Sequence, residues 1–106
     1  MKKNSWLSAL ALAGFSLSCA SLLPIPQESD LVYASYYHQA PVLLKDLQMG
    51  RKLYVAHCAG CHPLHLPHEL PPVGWQKIMD RMQVNAKIDD GTRDTILLYL
   101  TTMAGK

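Results

Sequence analysis

Cys58-Ala59-Gly60-Cys61-His62 sets two thiols three positions apart and an imidazole at the next residue. Cysteines at this spacing can add across the two vinyl groups of one porphyrin, and the adjoining histidine then reaches the iron from one face. The run is therefore the attachment signature of a c-type haem. Three other chemistries use paired cysteines. A redox C-x-x-C of the thioredoxin kind belongs in a βαβ setting at the start of a helix that lowers the thiol pKa, whereas here a helical pattern precedes the pair. A disulfide closing so small a loop would contribute little, because the entropic gain falls with loop length. A zinc site stays open beside haem, since His62, His65 and His68 follow at every third residue and could supply nitrogen ligands.

The 106 residues carry ten basic and eight acidic side chains, a formal charge of +2. The surplus is local. A basic start with Lys2 and Lys3, an apolar run over residues 6–17 and the small residues Ser18-Cys19-Ala20 read as an export signal over residues 1–20. Its removal leaves eight basic residues against eight acidic, and no basic stripe to bind nucleic acid. Leu17-Ser18-Cys19 also resembles a loose lipoprotein processing site, with Cys19 acylated. Residues 6–25 offer a third possibility, an uncleaved anchor of roughly the 20 weakly polar or apolar residues a bilayer span needs. All three place the chain in the periplasm or on the outer face of a membrane. What remains after cleavage is close to the size at which a side-chain core becomes marginal, a shortage that a tethered, buried cofactor relieves.

The elements that must position the motif are helical. Residues 21–41, with Pro24, Pro26, Pro41 and three tyrosines but no convincing period, read as a tether, and residues 42–106 as the folded domain. Within that domain, residues 42–56 suit a helix with Pro41 at its start and Leu43, Leu47, Leu53 and Tyr54 as apolar positions. Gly50 interrupts it at a cost of about 1 kcal/mol relative to alanine, so another backbone should cross there. A second helix spans residues 74–84, with Trp75, Ile78, Met79 and Met82 on one face. A third starts behind Asp89 as N-cap, carries Ile96, Tyr99, Leu100 and Met103, and ends at Gly105. No segment alternates as a strand would, and the fold class is all-α.

These residues resemble the small monohaem class I cytochromes c from about Val42 onward. Gly50 and Tyr54 precede Cys58 by eight and four residues, as a glycine and an aromatic do in that family, and Ile96 with Tyr99 match the pair on its last helix. Gly74-Trp75, Ile78 and Arg81-Met82 are similar to a bacterial branch. The resemblance implies about three main helices around one haem c, with the first and last helices crossing. Cys58 and Cys61 would form the thioethers, His62 would be the proximal iron ligand and Met82 the distal one, with Tyr54 and Trp75 in the haem pocket. Met79 and His68 are alternative distal ligands, and His65 is a weaker one. The family more often sets its ligand methionine in a loop beside a proline, whereas Met82 falls on an expected helix.

The function expected from this is one-electron transfer to redox partner proteins outside the cytoplasm, by iron cycling between Fe(II) and Fe(III). The alternative is a gas-binding or sensor module with a displaceable sixth ligand. No acid–base pair in a substrate pocket can be discerned, so the chain is expected not to be an enzyme.

Overall fold

The computed structural model describes residues 22–58 and 64–105. Residues 1–20, expected to be an export signal, with Cys19 among them, and Cys61 and His62 lie outside the described residues. Four α-helices make up the described chain: α1 Asp30–His38, α2 Leu44–Cys58, α3 Pro72–Ala86 and α4 Asp90–Ala104, with a 3-10 turn at Pro67–Glu69. No strand occurs among the described residues, and the all-α class holds. No helix among them is long and apolar enough to cross a membrane.

The last helix is the centre of the packing. α4 lies most extensively against α2, and also meets α3, α1 and the 3-10 turn. Its start is fixed by Asp89, whose carboxylate accepts the Thr92 amide at 2.7 Å. Ile96, Tyr99, Leu100 and Met103 are all buried, as their spacing requires of a core-facing stripe. Thr101 and Thr102 are buried too, and Thr101 satisfies its hydroxyl by donating to the Leu97 carbonyl at 2.7 Å.

On α2 the buried positions are Leu47, Gly50, Tyr54 and Cys58, a single stripe at intervals of three and four. Leu43 precedes the helix and is exposed, so Pro41 sits further upstream than expected. A proline does open α3, which begins two residues earlier than expected, because Pro72 at its first position gives up no hydrogen bond there. Trp75 and Met79 are buried, and Ile78 and Met82 pack half-buried beside them. α3 ends where Lys87 takes a left-handed conformation, φ 57°, and its amide returns to the helix's last carbonyls.

The stretch read as a tether contains α1. Its chain is tied down before the helix begins: Leu23 is buried, Pro24 accepts the Tyr99 hydroxyl at 2.7 Å, and the buried Asp30 carboxylate accepts the Gln27 amide at 2.7 Å. Ala34 packs with Val42 and Leu47, and His38 reaches the α4 hydroxyls. The helix shows no period in the sequence because what it buries is one alanine and one aspartate, while Val32 and Tyr36 face solvent.

Candidate functional site

Cys58 is the last residue of α2 and 5% exposed. One helical turn earlier on the same face stands Tyr54, also buried, whose hydroxyl donates to the His65 carbonyl at 2.8 Å. Trp75 of α3 meets the Tyr54 ring edge to face, centroids 6.2 Å apart, and its indole N–H donates to the Pro67 carbonyl at 2.7 Å. Burial pushes the Tyr54 phenol well above its ordinary pKa, with the neighbouring Cys58 adding to the shift.

Beside this pair opens a cleft of about 290 Å³ lined by His65, Glu69, Leu70, Trp75, Ile78 and Met82. Trp75 and Met82, two of the residues expected at the haem, thus share one cavity. Cys58, Tyr54 and Trp75 belong to one buried apolar cluster, against which Leu70, Ile78 and Met82 pack. Cys58 does not itself line the cleft, but the cluster it belongs to borders it, and there Leu70, Trp75 and Ile78 offer a flat apolar group hydrophobic walls and Met82 a soft thioether, the donor chemistry haem iron accepts. The residues present fit haem.

The alternative ligands separate in space. Met79 is 1% exposed within the core and does not line the cleft. His68 is exposed and lines a different groove, formed with Leu22, Pro24, Leu66 and Met103. His65 does line the cleft, with its Nδ1 3.2 Å from a Glu69 carboxylate oxygen. Because His65 and His68 face different cavities, they do not converge as a zinc site would need. Among the described residues, no group of three or more His, Cys, Asp or Glu side chains is placed to hold a metal.

Sequence spacing did not assign Glu69, Leu70 or Ile78 to this site. The signal available for Glu69 was its position four residues after His65, just past Pro67. There its carboxylate accepts the Leu66 amide, and that bond first, then His65, holds it below the usual carboxylate range.

The model of one family, dihaem cytochrome c, matches residues 54–106, which begin at Tyr54 and take in the Cys58–His62 run, α3 and α4. The chain belongs to the dihaem cytochrome c family. No curated protein and no solved structure matches it.

As a cytochrome c, it carries covalent haem c with its iron and serves haem-based electron transfer. The family corrects one expectation: the likeness to c-type cytochromes holds, but the matching family is dihaem rather than monohaem class I. The two are easily confused at this level, since the attachment run and the helix-crossing residues that carried the resemblance do not report how many haems a family holds. Within its 106 residues this dihaem cytochrome c chain has a single C-x-x-C-H run.

Proposed function

We propose that this cytochrome c is a one-electron carrier, not an enzyme, that works in the periplasm or on the outer face of a membrane with a single haem. Cys58 and Cys61 would hold the group covalently, and His62 and Met82 would supply the ligands to its iron. The bound haem supplies the Fe(II)/Fe(III) couple. The observation that carries this reading is the cleft, in which the Met82 thioether lies with buried Trp75 against the cluster that contains Cys58. Trp75 and Ile78 line that cleft, and their apolar surface beside the bound group would favour the less charged, reduced state. Electron-transfer encounters use small interfaces, under about 1,200 Å² in total. A chain whose charges balance after export can meet redox partner proteins in this way without a large charged docking face.

Absorption spectra of the oxidised and reduced protein test the ligand. A weak far-red band in the ferric spectrum, lost in Met82→Ala and kept in His68→Ala, is the expected result. A low-spin spectrum without that band, which His68→Ala abolishes, would overturn Met82 ligation.

A further inference from the structure

Tyr54 stands on α2 four residues before Cys58, and Trp75 on α3 seven residues before Met82. Each spends its one polar hydrogen on the same short stretch: Tyr54 on the His65 carbonyl at 2.8 Å, Trp75 on the Pro67 carbonyl at 2.7 Å. Residues 64–66 have no regular secondary structure; the Leu66 carbonyl accepts the Glu69 amide at 3.0 Å, while the carbonyls on either side of it, His65 and Pro67, accept from the two side chains. A phenylalanine at position 54 would fill the core equally well. The hydroxyl is what calls for a reason, since a buried phenol needs a partner and finds it on this loop.

We propose that Tyr54 and Trp75 act together as positioning residues. They clamp residues 65–67 onto both α2 and α3, so that the helices bearing Cys58 and Met82 keep one relative placement. This rests on the haem reading above. The clamp joins three elements that covalent attachment alone does not join: the thioethers fix Cys58 and Cys61 to the porphyrin, but leave the spacing between the loop and α3 to the protein. Loosening the loop therefore weakens the hold on the sixth ligand without releasing the haem.

Tyr99 supplies the control. Its hydroxyl makes an equally short bond, 2.7 Å to the Pro24 carbonyl, elsewhere in the same core. In the haem-loaded protein Tyr54→Phe and Tyr99→Phe each delete a bond of this kind, worth on the order of 1 kcal/mol, and Tyr99→Phe also loses the contact of its hydroxyl with the Arg51 side chain. Tyr54→Phe should retain haem under denaturing electrophoresis. It should also speed exchange of the Leu66 amide and CO uptake by the ferrous protein, each by roughly fivefold, and displace the reduction potential. Tyr99→Phe should cost similar stability and move none of these. Equal changes in both variants, or a Tyr54→Phe variant altered in melting temperature alone, would overturn the clamp. Should Tyr54→Phe fail to fold, Trp75→Phe, which keeps an aromatic ring and loses the N–H, must show the same split from Tyr99→Phe, and its failure to do so overturns the clamp equally. Wild-type protein without covalent haem would instead overturn the haem reading.

Discussion

Gly50 of α2 lies directly against Tyr99 of α4. A Cβ at position 50 would stand 2.6 Å from the Tyr99 Cβ and overlap the Thr95 carbonyl oxygen. The overlap is with backbone, which a rotamer change cannot relieve. Gly50→Ala should therefore destabilise by about 1–3 kcal/mol through overpacking, although helix propensity alone favours alanine by about 1 kcal/mol. Urea unfolding measures the sign, and a stabilised variant would contradict the crossing.

Met79 and Met82 sit on neighbouring turns of α3 with opposite expected roles. Met79→Ala removes a fully buried side chain and should cost about 2–5 kcal/mol of stability, with the potential nearly unchanged. Met82 is only half-buried and lines the cleft. Met82→Ala should cost less stability, lower the reduction potential and open the iron to CO, while covalent haem remains. Redox titration and CO binding on both variants decide this, and the reverse ranking would remove Met82 as ligand.

α1 should come under strain in acid. His38 lies against the Thr101 and Thr102 hydroxyls, its Nε2 at 3.2 and 3.5 Å, with the Tyr37 ring edge-on to it. Thr101 already donates to Leu97, so it accepts from an Nε2–H of His38. Burial holds the His38 pKa below its ordinary value of 6.5. The unfolded chain therefore takes up the proton first. This contribution to stability is complete above pH 6.5 and shrinks as pH falls towards the folded pKa. Urea midpoints measured on either side of pH 6.5 should fall more steeply for wild type than for His38→Gln, and equal slopes would rule the contribution out.

What the sequence made legible follows from how strongly each element is patterned. α4 was readable to the residue at its start because Asp89 caps it and its apolar residues recur on one face, and Gly50 announced a crossing because only contact with another backbone justifies it mid-helix. Trp75 and Met82 shared a face of α3, and they share the cleft. α1 was not legible, because its hold comes from Asp30, His38 and tertiary hydrogen bonds rather than from an apolar stripe. Nor was the division between His65 and His68. Three residues apart, they would share a helix face, but the chain is extended at Leu66 and turns tightly from Pro67, which sends them to different cavities. The Tyr54 and Trp75 hydrogen bonds were hidden for the same reason, since their acceptors are backbone carbonyls that no side-chain pattern marks.

The most direct test is the number of haems held covalently per chain. Protein matured in a host competent for haem attachment should, after denaturation, keep haem at one per polypeptide by intact mass and by haem absorbance. Cys58→Ala combined with Cys61→Ala should keep none and should be largely unfolded, because a core this small then loses its centre. Two haems per chain, or a wild-type chain that releases its haem on denaturation, would contradict a single haem bound through Cys58 and Cys61.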